Sequence, residues 1–423
     1  MTQKISELRA RRVWDSRGRP TIEVDVCVAG RTAGRGIAPA GASRGTREAV
    51  ELRDERFDGY GVDVAIEKFR TCVAPALLGR DVGDPAASDR LLCELDGTPQ
   101  KTVLGGNTVT ATSLALWQAA AIVSGKPLWQ WLAADAPVTL PMPQVQIFGG
   151  GAHAARRVDI QDFLAVPIGA KSFSESMAMI ADVYRAAGKV MASRNSISGT
   201  ADEGGWWPAF DSNEDALGCL MAAIEMAGFR AGEDIGIAID VAASEFNRGD
   251  GYELALESRR FSREEWLANL SEWIRRYPIV SIEDPFGQDD DDGWVSFGKR
   301  FRDRLQIIGD DYLVTDAERV RAAAASGACN AVLLKVNQRG TVLETRQALQ
   351  AARHAGFATI VSARSGESED TAIAHLAVGW NAGQIKVGSI TRGERTAKWN
   401  ELLRIEESLG AHAKFAGAGV MIS

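Results

Sequence analysis

The chain has 423 residues, of which 45% are hydrophobic and 25% charged, and a formal net charge of −8 at pH 7. The acidic balance argues against a broad nucleic-acid-binding surface, so we expect no nucleic acid polymer among its partners. No apolar stretch approaches the roughly 20 residues that cross a bilayer, the chain start shows no signal peptide, and the five scattered cysteines suit reduced thiols. We therefore expect a cytoplasmic protein without membrane contact.

The first part of the chain predicts a small α+β domain. Polar and apolar residues alternate over 22–26, which is typical of an antiparallel strand. A loop rich in Gly, Ala and Ser follows over 38–46, and helical patterns dominate 61–133. Pro141 and Pro143 mark a boundary. We accordingly predict an N-terminal α+β capping domain over 1–138 and a catalytic domain over 139–423.

The second part predicts a parallel barrel. Short apolar runs that end in polar residues alternate with helical stretches, at 235–240, 279–283, 305–310, 331–335, 358–362 and 384–386. Such alternation indicates a parallel sheet, and its continuation to the end of the chain suits a closed barrel. An open doubly wound sheet is the competing interpretation, but no Gly-rich dinucleotide fingerprint follows an early strand. Thr341 and Glu344 have the spacing of a capping box at one helix start.

Charged residues stand at the ends of five predicted strands. They are Asp240, Glu283, Asp310, Lys335 and Lys386. In a (β/α) barrel these ends converge on one site, where three carboxylates would repel one another unless a cation lay between them. Oxygen ligands without cysteine or histidine favour Mg²⁺, one ion or two. The alternative is that each charge caps a helix or pairs locally.

The two lysines suit different tasks in such a site. A lysine near a metal and another cation loses proton affinity, so we predict Lys335 as a general base. Removing a proton beside a carboxylate produces a doubly charged enediolate, which metal ions and Lys386 can stabilise.

Two loops add candidates for the opposite proton transfer. Glu203 lies in a Gly-flanked turn, where a carboxylic acid could protonate a leaving hydroxyl. His153 follows three glycines, in a flexible loop suited to closing over a substrate. We expect no such role for His354, His375 and His412.

Many motifs in order give the chain a resemblance to the enolase family along essentially its whole length. The segments are Asp15-Ser16-Arg17-Gly18, Gly41-Ala42-Ser43, Leu95-Asp96-Gly97-Thr98-Pro99, Lys171-Ser172-Phe173-Ser174-Glu175, Asp202-Glu203-Gly204-Gly205, Asp240-Val241-Ala242-Ala243-Ser244-Glu245-Phe246, Ser281-Ile282-Glu283-Asp284, Gly309-Asp310-Asp311, Lys335-Val336-Asn337-Gln338, Arg364-Ser365-Gly366-Glu367 and Gln384-Ile385-Lys386. The resemblance implies an enolase-type (β/α)8-like barrel with an N-terminal α+β capping domain.

The resemblance also implies roles for single residues. Asp240, Glu283 and Asp310 would hold a structural Mg²⁺, and Ser43 would help to bind a second one. Lys335 would be the base and Glu203 the acid, while Lys386 would support the enediolate. Arg364 and Ser365 would bind the phosphate. The family removes water from 2-phosphoglycerate to give phosphoenolpyruvate, and its members usually form homodimers or homo-octamers.

The chain departs from the family pattern on the acid side. Ala363 stands where the family has a histidine, and Asp162 where it has a glutamate; we keep Asp162 among the catalytic candidates. Gly149 replaces an asparagine, Ala40 a serine and Arg44 a threonine. Arg156 and Arg157 lie in the second loop, and Trp206 and Trp207 follow the acid motif. We therefore count Ala363 and Arg44 as substrate-binding candidates, because space and added positive charge suit a larger or more anionic acid.

These departures favour a specialised relative that acts on a phosphorylated or phosphonate acid. A carboxyphosphonoenolpyruvate synthase of phosphonate natural-product biosynthesis, which joins an activated phosphonoformate unit to a three-carbon acid, is an enzyme of that kind. The first alternative is ordinary phosphopyruvate hydratase activity. The second is a non-catalytic, enolase-like binding protein, although a complete metal triad with both lysines argues against it.

Overall fold

A computed structural model describes residues 3–421. The chain begins with an antiparallel sheet of three strands in the order β1-β2-β3, namely β1 (Ile5–Trp14), β2 (Pro20–Val28) and β3 (Arg31–Ile37). Ile22, Val24 and Val26 of β2 belong to a hydrophobic core. The intervening Glu23 and Asp25 are buried on the other face, where both pair with Arg11 and Arg35. The predicted strand at 22–26 is therefore confirmed.

Six short or medium helices complete this first part. They are α1 (Arg56–Gly59), α2 (Asp63–Lys68), α3 (Ala74–Leu77), α4 (Pro85–Asp96), α5 (Gly106–Val123) and α6 (Leu128–Ala133). Helix α5 packs closely on β3. A Cβ atom at Gly34 would lie 2.1 Å from the carbonyl oxygen of Ala115, so only glycine allows this approach.

Eight strands form a closed barrel in the second part. They are β4 (Met142–Gly149), β5 (Asp162–Val166), β8 (Gly236–Asp240), β11 (Ile279–Glu283), β12 (Gln306–Gly309), β13 (Ala331–Leu334), β14 (Ala358–Ser362) and β15 (Gly383–Gly388). Pairing of β15 with β4 closes the barrel. The predicted fold class is confirmed, and the six predicted apolar runs correspond to β8 and to β11 through β15.

One strand departs from the expected parallel arrangement. Strand β5 runs antiparallel to both of its neighbours, β4 and β8. The segment between β4 and β5 contains a single 3₁₀ turn, Gly151–Ala154, and no crossover helix. A parallel neighbour needs a long crossover connection, whereas an antiparallel neighbour does not. The reversal brings the first residue of β5, Asp162, to the barrel face where the other strands end.

Helices and two hairpins surround the barrel. The hairpins are β6 (Ile197–Thr200) with β7 (Trp206–Pro208), and β9 (Tyr252–Leu254) with β10 (Arg259–Phe261). The helices are α7 (Phe173–Ser193), α8 (Asn213–Met226), α9 (Arg263–Arg276), α10 (Asp291–Phe301), α11 (Ala317–Ser326), α12 (Val336–Arg339), α13 (Val342–His354), α14 (Ala372–Gly379) and α15 (Gly393–Leu409). Within residues 3–421 no helix is long and apolar enough to span a membrane.

The predicted capping box at α13 is only half formed. The Thr341 hydroxyl accepts from the backbone N–H of Glu344, as an N-cap does. The Glu344 carboxylate accepts instead from the Thr341 hydroxyl at 2.7 Å and from Lys101 Nζ at 2.9 Å. The Lys101 ammonium, from the loop before α5, attracts this carboxylate away from the backbone. The pair thereby links the first part of the chain to the barrel.

Candidate active site

A small polar cavity opens at the carboxyl ends of the barrel strands. Its wall comes from the 41–43 loop, from the segments that carry His153 and Glu203, and from the ends of five strands. The lining residues are Gly41, Ala42, Ser43, His153, Gln161, Glu203, Asp240, Lys335, Ser362, Ala363, Arg364, Ser365, Lys386, Val387 and Gly388. Most of the predicted site residues therefore share one enclosure.

Lys335, which follows β13, forms a tight pair with Asp310. Its Nζ lies 2.5 Å from Asp310 Oδ2, and Gln338 Nε2 donates to the other carboxylate oxygen at 2.8 Å. Burial lowers the pKa of Lys335 most strongly, but the Asp310 and Glu283 carboxylates together raise that pKa above its ordinary value. Asp310 is the larger of the two carboxylate contributions because it is in direct contact with the ammonium, and nearby Arg364 and Lys386 oppose protonation.

Lys386, on β15, bridges two of the predicted metal ligands. Its Nζ lies 2.7 Å from Asp240 Oδ2 and 2.8 Å from Glu283 Oε2. Burial lowers the pKa of Lys386, but these carboxylates raise it well above its ordinary value. Burial, followed by the Asp240 charge, raises the pKa of Glu283 well above normal. Lys386 thus supplies much of the positive charge in this part of the cavity.

Asp310 lies in a separate acidic group. Oxygen atoms of Asp284, Asp310 and Asp311 approach within 4.8 Å of one another, and all three residues are buried. The Asp284 carboxylate accepts from the backbone N–H groups of Asp310 and Asp311 at 2.9 and 2.8 Å. Burial, together with Asp310, raises the pKa of Asp311 to about 8. Asp284 and Asp311 were not predicted as site residues, although each adjoins a predicted ligand in a motif of the sequence.

The acidic groups fit a hard divalent cation. Glu283 Oε1 is buried without a hydrogen-bond partner among the described residues, so one carboxylate oxygen is free to bind a cation. Asp240, Glu283 and Asp310 offer oxygen atoms only, which suits Mg²⁺. Gln161 Nε2 additionally donates to Asp240 Oδ2 at 3.0 Å and orients it.

Glu203 lies in the turn between β6 and β7. Gly204 in this turn has φ +91°, and a Cβ atom there would lie 2.6 Å from the carbonyl oxygen of Thr391. The turn therefore requires glycine beside the predicted acid. The Glu203 side chain is buried, and its Oε1 lies 3.7 Å from His153 Nε2. The two predicted acid-side residues are thus neighbours in the cavity.

Asp162 lies beneath the cavity instead of lining it. Its Oδ1 lies 2.9 Å from His153 Nδ1 and accepts from Gln146 Nε2 at 2.5 Å, and its Oδ2 lies 3.3 Å from Lys386 Nζ. Burial opposes protonation of His153, but Asp162 and Glu203 outweigh it and raise the His153 pKa to about 8. Burial raises the Asp162 pKa, yet His153 and Lys386 hold it well below its usual range.

Arg364 and Ser365, just after β14, form what we call the anion seat. Arg364 donates to both carboxylate oxygens of Glu48, at 2.8 and 3.2 Å, and to the carbonyl oxygen of Ser43 at 3.0 Å. Ser365 Oγ accepts from the backbone N–H of Ala42 at 2.6 Å. Both residues are buried and line the cavity. Glu48 was not predicted as a site residue, because it lies in a loop segment outside the quoted motifs.

Ala363 adjoins the anion seat in the cavity wall. Its backbone N–H donates to the carbonyl oxygen of Lys386 at 2.9 Å, which ties β14 to β15. Gly149, another departure, has no room for a side chain, since a Cβ atom there would lie 2.5 Å from Ala201 Cβ. The structure thus accommodates both departures without strain.

The loop arginines are not brought into the cavity. Arg44 is 43% exposed and pairs with Glu51 at 2.9 Å, and Arg156 is 69% exposed and pairs with Glu245 at 2.6 Å. Arg157 is exposed. Acidic neighbours on the outer face hold the first two there. The expected extra positive charge over the substrate is therefore absent from the described arrangement of residues 3–421.

Two family models match consecutive parts of the chain. "Enolase, N-terminal domain" matches residues 5–132, and "Enolase, C-terminal TIM barrel domain" matches residues 137–423. Enolase 1 of Desulfitobacterium hafniense (strain Y51) is 48% identical over 423 residues, which cover 99% of this chain and 97% of the relative. The chain belongs to the enolase family. The resemblance inferred from the motifs is confirmed, and the protein is an enolase-type lyase.

Membership of the enolase family agrees with the acidic groups described above, which could hold the metal ion expected for the family. The specialised activity that we predicted receives no support from the matched enolase models or from the D. hafniense relative. They favour the ordinary reaction that stood as the alternative.

Proposed function

We propose that the protein dehydrates 2-phosphoglycerate to phosphoenolpyruvate with Mg²⁺. The observation that carries this proposal is that Lys335 and Glu203 line one cavity from separate sides of the barrel wall. Lys335 follows β13, while Glu203 lies in the hairpin paired with β4, and β14 and β15 intervene. A base and an acid placed apart suit an elimination that removes a proton from one carbon and hydroxide from the next.

Lys335 is the proposed base for the proton next to the substrate carboxylate. Asp310 holds the lysine protonated through direct contact. A cation held by Asp310 would reduce the attraction of this carboxylate for the ammonium, and the Lys335 pKa would then fall towards that of a base. The Lys386 ammonium remains to stabilise the second negative charge of the enediolate.

Asp240, Glu283 and Asp310 are the proposed ligands of the Mg²⁺ ion, and Ser43 is the proposed ligand of a second one. Bound there, Mg²⁺ would act as a Lewis acid that draws negative charge from the substrate carboxylate. The free Glu283 Oε1 supports this assignment. Gln161 and Gln338 hold Asp240 and Asp310 in place through hydrogen bonds of 3.0 and 2.8 Å.

Glu203 is the proposed acid, which gives its proton to the departing hydroxyl so that water leaves. His153 Nε2 lies 3.7 Å from Glu203 Oε1, and a small side-chain shift would allow proton exchange between them. Asp162 acts through His153, because it lies beneath the cavity and accepts from Nδ1. It is thus a positioning residue in this proposal, not the catalytic group that we predicted.

Arg364 and Ser365 are the proposed phosphate ligands, since both line the cavity next to Ala363.

We keep the predicted division of the chain into domains 1–138 and 139–423, whose boundary lies within the segment that joins α6 to β4. We also keep a homodimer or homo-octamer and a cytoplasmic location as proposals. Sedimentation analysis tests the first of these, since neither of the two assemblies sediments as a monomer.

A second candidate is the specialised activity of the carboxyphosphonoenolpyruvate synthase type. Ala363 favours it, because a methyl group lines the wall where the family carries an imidazole. Asp162 also favours it, since this acid-side carboxylate is buried and does not line the cavity. The third candidate, a non-catalytic binding protein, is supported only by the departures of the sequence from the family pattern.

Absorbance of phosphoenolpyruvate formed from 2-phosphoglycerate with Mg²⁺ distinguishes these functions. Turnover typical of the family, lost in Lys335→Ala, supports the dehydration. A negligible rate with retained exchange of the substrate α-proton in D₂O supports the specialised activity. Metal-dependent binding of the substrate without proton exchange or turnover supports the non-catalytic binding protein.

A further inference from the structure

The Asp15–Gly18 motif carries no role in the proposed reaction, yet it contacts the anion seat. It forms the turn between β1 and β2, where the Asp15 carboxylate accepts from the N–H groups of Arg17 and Arg19 at 2.9 and 2.8 Å. Ser16 donates its N–H to the carbonyl oxygen of Glu367 at 2.8 Å. This turn therefore docks on the segment that follows β14.

Arg17 reaches furthest into this contact. Its side chain is 6% exposed, and one terminal nitrogen lies 3.4 Å from Ser365 Oγ while the other donates to the carbonyl oxygen of Ala40 at 2.9 Å. A Cβ atom at Gly366 would lie 2.5 Å from the guanidinium. Glycine at 366 is thus what lets Arg17 approach the seat from the far side of the cavity wall.

The charge of Arg17 is poorly compensated within the protein. Its acidic neighbour Asp15 lies 3.5 Å away, and its Nε is buried without a hydrogen-bond partner among residues 3–421. A buried guanidinium with an unused N–H and a single, long ion pair is costly. A negative charge bound at Ser365 would reduce that cost.

Arg17 acts on Ser365 through the acceptor positions of its hydroxyl group. A serine hydroxyl has one donor and two acceptor positions. Ser365 Oγ accepts from the N–H of Ala42 and from Arg17, so both acceptor positions are used. The hydroxyl hydrogen is then left for an acceptor in the cavity, which Ser365 lines.

We propose that Arg17 is a positioning residue of the anion seat, which aims the Ser365 hydroxyl at the substrate's phosphate. The first domain thereby sets the affinity of the barrel for a phosphate monoester. This inference rests on the proposed function in one respect, namely that the anionic group of the substrate binds at Arg364 and Ser365.

The test is calorimetric titration of the full-length protein with inorganic phosphate in the presence of Mg²⁺, which needs no turnover. Arg17→Gln should weaken phosphate binding about tenfold, as expected for a lost charge-assisted hydrogen bond. Arg17→Lys keeps the positive charge, so its phosphate affinity should fall less than that of Arg17→Gln. The matched control is Arg19→Gln in the same turn, since the Arg19 guanidinium lies over Tyr60 at 4.1 Å; it should change the affinity less than about twofold.

A double-mutant cycle identifies the route. In a Ser365→Ala background, Arg17→Gln should change the phosphate affinity by less than about twofold, because the hydroxyl that it aims is gone. In turnover, KM should rise while kcat stays nearly constant. Thermal melts establish whether each variant is folded. If Arg17→Gln does not fold, the test uses Arg17→Lys instead.

Two results would overturn the proposal. One is unchanged phosphate affinity in folded Arg17→Gln or Arg17→Lys. The other is an Arg17→Gln effect on phosphate affinity that is as large in the Ser365→Ala background as in the native protein. Failure of the proposed function gives a different pattern, because phosphate would still bind in an Arg17-dependent way while 2-phosphoglycerate gave no product.

Discussion

The imidazole of His153 and the carboxylate of Asp162 form a buried pair, with Nδ1 2.9 Å from Oδ1. Nδ1 carries the proton in this contact, since the carboxylate can only accept. Nε2 is then directed at Glu203, which lines the same cavity. One carboxylate thus orients the ring towards the other.

Replacing Asp162 by Asn should lower the pKa of His153. The pKa is about 8 because Asp162 and Glu203 together outweigh burial, and the amide retains the shape but not the charge. NMR titration of the His153 ring measures the effect. Asp182→Asn, on the surface of α7, is the matched control and should leave the ring unchanged. An unaltered His153 pKa in Asp162→Asn would show that Glu203 alone holds the proton.

The same pair makes stability depend on pH. The His153 pKa is raised in the folded state, so its contribution is complete below its ordinary value of 6.5 and is lost as pH rises through about 8. That rise corresponds to about 2 kcal/mol. Urea unfolding at pH 6 and pH 9 should therefore show a larger loss for the native protein than for His153→Gln. Equal losses of unfolding free energy in the two proteins would exclude His153 as the cause of the pH dependence.

Lys335→Ala should reduce turnover of 2-phosphoglycerate by about 10³-fold or more, because the proposed base is removed. Exchange of the substrate α-proton in D₂O should be lost in parallel, since it reports the base step alone. The control is Lys126→Ala, whose ammonium pairs with Asp135 at the surface. Exchange that persists in Lys335→Ala would assign the base to another group.

Glu283→Gln should weaken Mg²⁺ binding more than about tenfold, since it removes a charged oxygen ligand. Calorimetry without substrate measures this directly. Asp303→Asn is the matched control, because Asp303 is 98% exposed and far less able to retain a cation. Unchanged affinity in Glu283→Gln would move the metal site to the group formed by Asp284, Asp310 and Asp311.

Ala363→His should raise the rate of phosphoenolpyruvate formation if dehydration is the reaction of this site. The imidazole would enter the cavity wall beside the anion seat and assist the acid step, by about tenfold or more. Ala363→Asn adds a side chain of similar reach without a titratable group and should give no increase. A loss of rate in both variants would mean that the space belongs to a larger substrate.

The residues that the sequence placed correctly share a simple geometry. Lys335, Asp240 and Glu283 each stand at the carboxyl end of an apolar run, and parallel strands carry such ends to one face. Asp162 obeys the opposite rule, because it begins the reversed strand β5. Its place beneath the cavity could not be read from a pattern that looks only at strand ends.

Long-range contacts account for the other differences. The proton affinity of Lys335 depends on Asp310, 25 positions away, at a distance that spacing alone does not give. Arg44 faces outward because Glu51 binds it there. Arg17 was quoted as part of a motif without a role, since only folding brings it to Ser365.

The reversed strand β5 separates two halves of the site that the chain supports in different ways. Lys335, Asp310 and Glu283 stand on consecutive parallel strands whose register ties each to the next. His153 and Glu203 stand on two excursions of the chain, before β5 and between β6 and β7, which carry no barrel strand of their own. Changes such as Asp162 and Gly149 cluster in that second half. Lys386 joins the two halves, since its ammonium contacts Asp240 and Glu283 on one side and Asp162 on the other, so a charge change in either half is felt in both.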